Sequence, residues 1–391
     1  MKKSFLVFLV LVSSLVLNAQ KAPMALGKVP MEDLMMTHWP DDSTVSAAIL
    51  CEYASYDPIS MSFTWMRRLK IFSKEGMNYL IFTAPSENKN YVKGFVVNLV
   101  NGVEVKEKIA KDNIAMERIY EDNYRARVAP PGVVEGSVID IEFNFSGLPS
   151  LWKFQYPIPV RYSEISLDLP NAFSLNFQQI GYEKIERMGF NRFIARNMPA
   201  FKPEPFINSA ENYSTSLLID LKGISLPGQM PVILAESWKD VNKYFWENPS
   251  FKTQYENPSF FLNDLAKSLK ASTANPDTLI MQATDSIRSV IKWNETSDLW
   301  PSNDIRHIFN EGTGTSADMN MALLMLLKKL DIPAGPVIMS QRSEGQINPF
   351  LPTIRRMNYM IVCATLPNGK ILIDVSDKYC PPGILPERAI N

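Results

Sequence analysis

The chain has 391 residues, of which 46% are hydrophobic, 11% aromatic and 21% charged. This length predicts about two domains, and the apolar content excludes an intrinsically disordered protein. Forty Lys and Arg against 41 Asp and Glu give a net charge of −1, so no strong charge draws the chain to nucleic acid or an anionic membrane. Three cysteines exclude a disulfide scaffold, and two histidines, His38 and His307, exclude a site built from several imidazoles.

The N-terminus has the pattern of a cleavable signal peptide. Two lysines precede an apolar stretch over residues 5–17, which is shorter than the roughly 20 residues of a bilayer span. Polar residues follow a candidate cleavage point after Ala19. We expect residues 1–19 to be removed on export, which would place the protein in the periplasm or outside the cell without a transmembrane segment. Residues 20–41 then form an N-terminal approach segment in which His38 is solvated.

Residues 42–228 are dominated by short strand patterns. Strands rich in β-branched and aromatic residues are predicted at 44–53, 63–72, 77–82, 137–145, 165–169, 173–178, 193–196 and 216–221. Asn101 and Gly102 stand between two apolar runs and predict a two-residue type I′ hairpin, because both residues tolerate positive φ. This many short strands with turns between them predict an antiparallel β-sandwich for residues 42–228.

Residues 235–391 have helical patterns first and strand patterns afterwards. Helices are predicted from Ser237, over 261–271, over 277–293 with Asp277 as N-cap, and over 317–330. Strands are predicted at 336–339, 358–365 and 370–374, with an Asn368-Gly369 turn joining the last two. The helix over 317–330 is apolar on nearly all sides, which predicts a central buried helix. This second domain is therefore α+β, and the whole chain is predicted to be an α+β multidomain protein.

The order of these elements resembles the transglutaminase-like, papain-related superfamily, in which a Gly-rich turn opens a buried helix that three strands follow. Four motifs match in order and spacing, namely IKWN at 291–294, GTSADMN at 314–320, PVIMSQR at 336–342 and ILID at 371–374. WKFQYPIPV at 152–160 and PEPF at 203–206 resemble the β-rich domain of unknown function that precedes this domain in exported bacterial members. Those relatives often continue beyond a Leu-Pro-x-Arg segment like that at 385–388, so we expect a further β-rich region to be missing here.

The resemblance implies a catalytic triad from which this sequence departs. Members of the superfamily place a Cys nucleophile at the helix start, a His base on the next long strand and an Asp on the following strand. The corresponding positions here are Ser316, Tyr359 and Asp374, so only the Asp is kept. Loss of the nucleophile and the base as a unit costs a triad enzyme on the order of 10⁶-fold in rate. We therefore expect a domain without cysteine-transferase or cysteine-protease activity.

Asp318 and Asn320 lie in the first turns after Ser316 and are expected to satisfy free N–H groups of the helix. Together with Ser316, Tyr359 and Asp374 they outline the candidate cleft. The spacing of the acidic residues matches no calcium loop, and no nucleotide- or nucleic-acid-binding motif occurs. No metal and no cofactor are predicted.

Two further cysteines lie near the predicted strands. Cys363 is expected to be a small buried hydrophobe on a strand. Cys380 lies in a loop beside two prolines and is expected to be a free thiol. A Cys363–Cys380 disulfide is the alternative if the strand and the loop approach each other.

Two classes of function remain open. The first is a non-catalytic exported module that binds a peptide, a glycan or an envelope protein through the β-rich region and the cleft. The second is a hydrolase or acyltransferase of the peptidase or amidase type with a rearranged site at Ser316, which His307 could assist because convergent triads use several chain orders. A base within hydrogen-bonding distance of the Ser316 hydroxyl favours the enzyme, whereas a Tyr359 ring packed over the serine favours the binding module.

Overall fold

A computed structural model of the chain describes residues 22–57, 60–86, 88–120, 123–170, 172–225 and 228–390. The predicted signal peptide over 1–19 lies outside the described residues. The fold is mixed α/β, with many strands in several sheets and several helices. No helix within the described ranges is long and apolar enough to cross a membrane.

The regular elements are numbered in chain order. The helices are α1 (Met31–Met35), α2 (Trp238–Glu247), α3 (Pro249–Glu256), α4 (Asn263–Ser272), α5 (Pro276–Val290), α6 (Ile305–Glu311) and α7 (Ser316–Lys329). The strands are β1 (Ala47–Asp57), β2 (Ser62–Ile71), β3 (Phe82–Pro85), β4 (Val92–Val100), β5 (Val103–Lys108), β6 (Ile114–Tyr120), β7 (Asn123–Val128), β8 (Val138–Ser146), β9 (Leu151–Lys153), β10 (Val160–Leu167), β11 (Phe173–Ile180), β12 (Glu186–Met188), β13 (Arg192–Met198), β14 (Ser216–Ile224), β15 (Val232–Ile233), β16 (Lys292–Trp293), β17 (Thr313–Gly314), β18 (Ala334–Met339), β19 (Tyr359–Leu366) and β20 (Gly369–Ile373).

The chain forms two compact units that are interleaved in sequence. The described parts of unit 1 lie within Met1–Leu148, Phe154–Leu169 and Glu183–Phe201, and those of unit 2 within Pro149–Lys153, Pro170–Tyr182 and Lys202–Asn391. Strands β9, β11 and β14 therefore belong to unit 2, although they precede residue 228 in the chain. That residues 42–228 and 235–391 fold as independent domains stays a prediction.

Unit 1 is built around an eight-stranded sheet with the order β12-β13-β10-β1-β2-β8-β4-β5. Neighbouring strands run antiparallel except β1 and β10, which pair in parallel. This pair corrects the expectation of a purely antiparallel arrangement. Parallel neighbours need a long crossover connection. Here the connection from β1 to β10 is the chain that contains strands β2 to β9. Strands β3, β7 and β6 form a separate sheet.

Local turn chemistry explains one success of the strand predictions, and a tertiary contact accompanies one error. The Asn101-Gly102 hairpin is confirmed, because β4 and β5 pair antiparallel and the two φ angles are 52° and 79°. The strand predicted over 77–82 is wrong, since Lys74–Tyr79 forms a 3₁₀ helix and β3 begins only afterwards. At Gly76 the Ser46 carbonyl leaves no room for a side chain. That contact is tertiary, so the local strand pattern could not reveal it.

A buried charged cluster fastens the N-terminal approach segment to the sheet of unit 1. The Arg68 guanidinium donates two hydrogen bonds of 2.8 Å to the Asp140 carboxylate, which also accepts the backbone N–H of Gly27 at 2.8 Å. The Lys70 ammonium group is fully buried and donates to the Leu34 carbonyl at 2.9 Å. Burial lowers the pKa of Lys70 to about 8. The segment is thus held mainly through its backbone groups.

Unit 2 is organised around helix α7, which is buried from Ser316 to Leu327. The helix packs on α5 and on the antiparallel sheet β18-β19-β20. The prediction of a central buried helix followed by three strands is confirmed. A second sheet of unit 2 has β14 paired with β11, β15 and β9.

The N-cap of helix α5 lies two residues earlier than predicted. Its N-cap is Asn275, whose side chain accepts the N–H of Thr278 at 3.0 Å, and not Asp277. Pro276 occupies the first helical position, where its missing N–H costs nothing, so the residue before it becomes the cap. Asp277 lies inside the first turn, where its charge still favours the helix dipole.

Candidate functional site

A tight turn sets the start of helix α7. Gly312 ends α6 with a φ of 75°, and a Cβ at Gly314 would lie 2.8 Å from Cγ2 of Ile308. Both positions therefore favour glycine, the first for its dihedral and the second for the close approach. The turn places Ser316 as the first residue of α7, as predicted from the sequence.

Asp318 fixes the helix start through a capping box. Its carboxylate accepts the N–H of Thr315 at 2.8 Å and the Thr315 hydroxyl at 3.0 Å, and the same hydroxyl accepts the N–H of Asp318 at 3.2 Å. The carboxylate also accepts the backbone N–H and the hydroxyl of Ser302, each at 2.7 Å. Asp318 is fully buried. The prediction that this residue serves N–H groups at the helix start is confirmed.

The Ser316 hydroxyl faces backbone groups. Its Oγ accepts the N–H of Asp298 at 3.0 Å and lies 3.5 Å from the Asp298 carbonyl oxygen. The Ser316 N–H donates to the Thr296 carbonyl at 3.0 Å, because the parallel pairing of β16 with β17 brings this segment alongside. Among the described residues, no imidazole or carboxylate hydrogen-bonds the Ser316 hydroxyl. The geometry expected of an activated serine is not formed.

Tyr359 and Asp374 form a buried pair on neighbouring strands. Tyr359 opens β19 and Asp374 directly follows β20, and the two strands run antiparallel as the Asn368-Gly369 turn predicted. The Tyr359 hydroxyl donates to the Asp374 carboxylate at 2.6 Å. That carboxylate also accepts the hydroxyl of Ser376 at 2.6 Å and its N–H at 3.0 Å. The phenol thus takes the place beside Asp374 that the resemblance assigns to an imidazole.

Arg388 completes this cluster from a short 3₁₀ turn, Glu387–Ala389. Its guanidinium donates to Asp374 at 3.2 Å, to the Ser376 hydroxyl at 2.9 Å and to the tyrosine hydroxyl at 2.9 Å. The guanidinium carbon lies 4.5 Å from the ring centroid of Trp293. Sequence reasoning missed Arg388, because the Leu-Pro-x-Arg segment carried a family resemblance but no role for its arginine.

Asn320 links the helix start to the carboxylate. Its amide nitrogen donates to the Ser316 carbonyl at 2.9 Å and to Asp374 at 3.2 Å, and its oxygen accepts the N–H of Val375 at 3.2 Å. The expectation that Asn320 serves free N–H groups of the helix is wrong. Residue 320 is one turn after Ser316, so its side chain meets an earlier carbonyl on the face that packs against the strand end. The structure therefore brings Ser316, Asn320, Tyr359 and Asp374 into one buried polar cluster.

The electrostatics favour the protonated forms of the Tyr359 phenol and the Cys380 thiol. Burial and the neighbouring Asp374 carboxylate raise the pKa of Tyr359 well above its usual value. Burial, together with the charges of Asp377 and Asp374, also raises the pKa of Cys380. Tyr359 is therefore a hydrogen-bond donor at neutral pH and cannot serve as a base, and Cys380 is not an activated thiol.

The histidines and the two late cysteines lie apart from this chemistry. His38 is exposed, as predicted, and His307 is exposed with its Nε2 at 3.0 Å from the Glu311 carboxylate. Cys363 and Cys380 are free and both half-buried, so the alternative disulfide is not formed. Within the described ranges, no group of three or more His, Cys, Asp or Glu side chains is placed to hold a metal ion.

A second feature of unit 2 is a pocket of about 200 Å³, which we call the aromatic pocket. It is lined by Trp238, Val241, Asn242, Phe245, Trp246, Phe251, Trp300, Pro336, Ile338 and Met357. Sequence reasoning gave these residues no role. The signal that could have found it is the helical spacing of 238, 241, 245 and 246, which places three aromatic residues on one face of α2.

Comparison with known proteins supports a shared fold and no specific activity. No family model matches the chain, and no curated protein matches it. A crystal structure of a protein from Parabacteroides distasonis, provisionally named as a protease, has a TM-score of 0.63 at 14% identity, covering 85% of this chain and 71% of that one. At this identity the similarity concerns the fold alone, which is compatible with a transglutaminase-like arrangement. Native yeast LTA4 hydrolase, with a TM-score of 0.22 and 12% identity over 59% of this chain and 39% of that one, is too dissimilar to support an argument.

Proposed function

We propose that this protein is an exported pseudoenzyme, a non-catalytic module that binds a peptide, a glycan or a partner protein of the cell envelope. Burial of the triad positions is the observation that carries the proposal. Ser316 and Tyr359 are 0% exposed and Asp374 is 1% exposed. A nucleophile must come within bonding distance of a substrate carbonyl, and a serine without accessible surface cannot do so.

The hydrogen bonds of the cluster support the same conclusion. A serine nucleophile needs a base within hydrogen-bonding distance. In the part of the chain that the structure describes, the Ser316 hydroxyl bonds only backbone groups of Asp298. The Asp374 charge is matched by the Arg388 guanidinium, at 3.2 Å, and not by an imidazolium. Each hydrogen bond to a charged group contributes about 1.5–3 kcal/mol, so opening this cluster to admit a substrate is unfavourable.

The proposal extends to the finer fold and to the location. We assign unit 2 a transglutaminase-like fold because a Gly-turn, a buried helix and three strands follow in the order of that superfamily. We assign residues 42–228 a β-sandwich on the strand pattern, and residues 1–19 a signal peptide on the charge and apolar pattern. N-terminal sequencing of the exported protein should find Gln20 first, and a chain that still begins at Met1 would contradict the export assignment.

The test of the non-catalytic role compares the wild type with Ser316→Ala. Casein hydrolysis and labelling by a fluorophosphonate probe should be absent in both, because the hydroxyl is buried and has no base. The substitution should lower the free energy of unfolding by about 1 kcal/mol through the lost hydrogen bond. Ser289→Ala, at an exposed serine of α5, is the matched control and should leave stability unchanged within about 0.5 kcal/mol. Casein turnover or probe labelling that requires Ser316 would overturn the proposal and favour the hydrolase alternative.

A further inference from the structure

Strand β5 forms one edge of the eight-stranded sheet of unit 1. All six of its residues are exposed, and its two valines, Val103 and Val105, are 63% and 47% exposed. The strand at the opposite edge, β12, has only three residues. An exposed edge strand of this length is a template on which another strand can pair, because its outer row of backbone N–H and C=O groups is unpaired.

The outer backbone groups of β5 belong to Glu104, Lys106 and Lys108. The N–H of Ile109 donates to the carbonyl of Gly94 in β4 at 2.9 Å. Backbone groups of alternate residues in a strand face the same neighbour, so the odd-numbered residues of β5 bond β4 and the even-numbered residues face outward. Within the described ranges, the outward backbone groups have no hydrogen-bond partner.

The side chains of these outward residues have unused charge. Neither Glu104 nor Lys108 forms an ion pair with any residue that the structure describes. The Lys106 ammonium lies 5.2 Å from the ring centroid of Phe95 and donates to the Gly27 carbonyl at 3.0 Å. That hydrogen bond leaves two of its three N–H donors available. The edge therefore presents one carboxylate and two ammonium groups to a partner strand.

A second copy of β5 fits this charge pattern in one register. When two identical strands pair antiparallel about a two-fold axis, outward-facing residues must oppose outward-facing residues, so the axis passes through a residue. With the axis at Val105, Glu104 of each copy lies opposite Lys106 of the other, and the two valines face each other. Two ion pairs and one apolar pair then form across the interface, all of which stabilise a sheet.

The other registers of β5 are less favourable. An axis at residue 104, 106, 107 or 108 places like charges directly opposite each other, which is destabilising. An axis at Val103 forms no ion pair. Lysines on an edge strand often prevent association, but here the alternation of Glu and Lys makes the edge complementary to itself. The exposed Leu99 and Val100 of β4 continue the apolar surface beside it.

We propose that β5 is a self-association surface, through which two copies of this protein pair antiparallel about Val105 and join their eight-stranded sheets into one. The backbone groups of Glu104 in each copy exchange hydrogen bonds with those of Lys106 in the other, and the two side chains form an ion pair. This association goes beyond the proposed function and does not depend on it.

The first experiment measures the dimerisation constant of the exported protein by sedimentation velocity over a range of concentrations. Glu104→Lys and Lys106→Glu each place like charges opposite each other, so each should weaken dimerisation by about two- to twentyfold. An equimolar mixture of the two variants should regain the dimer, because each new charge then faces its opposite. Lys108→Glu is the matched control, since Lys108 faces Gly102 in this register, and should dimerise like the wild type. Circular dichroism establishes that each variant is folded.

The second experiment tests the register by crosslinking. Facing residues in a pair that is not hydrogen-bonded have Cα atoms about 4.5 Å apart, which a disulfide can join. Val105→Cys should therefore form a covalent dimer on oxidation with copper phenanthroline. Glu107→Cys is the control, because its two copies would lie roughly 14 Å apart, and it should not crosslink. The wild type, with its native free cysteines, gives the background.

Three results would overturn the inference. The exported protein could stay monomeric up to about 1 mM, which would mean that the charges of β5 protect the edge. The dimer could persist unchanged in both charge-reversal variants, which would place the interface elsewhere. Lys108→Glu could weaken a dimer that Val105→Cys fails to crosslink, which would contradict the register. The non-catalytic role is tested separately at Ser316 and stands or falls without these results.

Discussion

Each unit contains a buried polar cluster that holds a segment of the chain onto a sheet. The two clusters do so with similar chemistry. In unit 1, Arg68 and Asp140 of the large sheet bind the backbone of the N-terminal approach segment. In unit 2, Tyr359 and Asp374 bind the guanidinium of Arg388. Nothing in the sequence points to catalysis in the first cluster. Its likeness to the second teaches that an Asp and an Arg brought together by folding can serve attachment alone.

The clusters differ in how completely their polar atoms are bonded. In unit 1, Oδ2 of the buried Asp33 carboxylate has no hydrogen bond and lies 3.8 Å from the Arg68 guanidinium. In unit 2, both oxygens of Asp374 accept hydrogen bonds. The Asp374 carboxylate is therefore better satisfied than that of Asp33, which is the opposite of the strain and unmet bonding often found at working active sites.

The largest effect is expected from Asp374→Ala. The substitution leaves the Arg388 guanidinium and the Tyr359 hydroxyl without their shared acceptor, so the free energy of unfolding should fall by about 3–5 kcal/mol. Asp377→Ala is the control, because that carboxylate also bonds Arg388 but is 22% exposed, and it should cost less than about 1 kcal/mol. Urea unfolding of both variants measures the difference. Equal losses would mean that Asp374 is not the centre of the cluster.

Lys70→Met tests the cluster of unit 1 through its pH dependence. Burial lowers the pKa of Lys70 from 10.5 in the unfolded chain to about 8. Between these values the unfolded state binds more protons, so the wild type should gain stability relative to the variant as pH rises from about 8 to 10.5. The full gain corresponds to about 3 kcal/mol. Unfolding curves of both proteins across this range measure it, and a difference that stays constant with pH would contradict the assignment.

The smallest effect is expected from Tyr359→Phe, with a pH dependence of the opposite sign. Loss of the buried hydroxyl should cost about 2 kcal/mol at neutral pH. Because the pKa of Tyr359 is raised above 10, the folded state keeps a proton that the unfolded chain loses. The stabilisation that the Tyr359 hydroxyl gives the wild type over Tyr359→Phe should therefore be complete below pH 10 and decline above it.

Unfolding measured from pH 7 to 11 checks this prediction. Tyr379→Phe, at an exposed tyrosine, should change stability by less than about 0.5 kcal/mol at every pH. A difference between wild type and Tyr359→Phe that grows above pH 10 would show that the Asp374–Tyr359 contact does not hold the phenol in its protonated form.

Features that depend on neighbours in sequence were predicted well. The Asn101-Gly102 hairpin, the start of α7 at Ser316 and the antiparallel pairing across Asn368-Gly369 are all confirmed. Each depends on a dihedral preference or a capping contact within a few residues, so the local pattern contains the necessary information. The residue types at the positions that the resemblance assigns to a triad are likewise read from the sequence alone.

Features that depend on distant contacts required the tertiary structure. The parallel pairing of β1 with β10 joins residues such as Ile49 and Val160. The hydrogen bonds of Arg388 to Asp374 and Tyr359 span 14 and 29 residues, and the aromatic pocket combines side chains from Trp238 to Met357. Local propensity says nothing about such pairings, because packing of whole elements selects them.

The sequence by itself determined that a serine and a tyrosine, and not a cysteine and a histidine, stand at the positions that the resemblance assigns to the nucleophile and the base. Only the tertiary structure decided that these positions are closed to solvent and that Arg388 neutralises Asp374. The physical reason is that the free energy of a buried charge depends on the partner that packing brings to it. The sequence specifies which chemical groups are present, and the contacts made in the tertiary structure decide whether those groups are reactive.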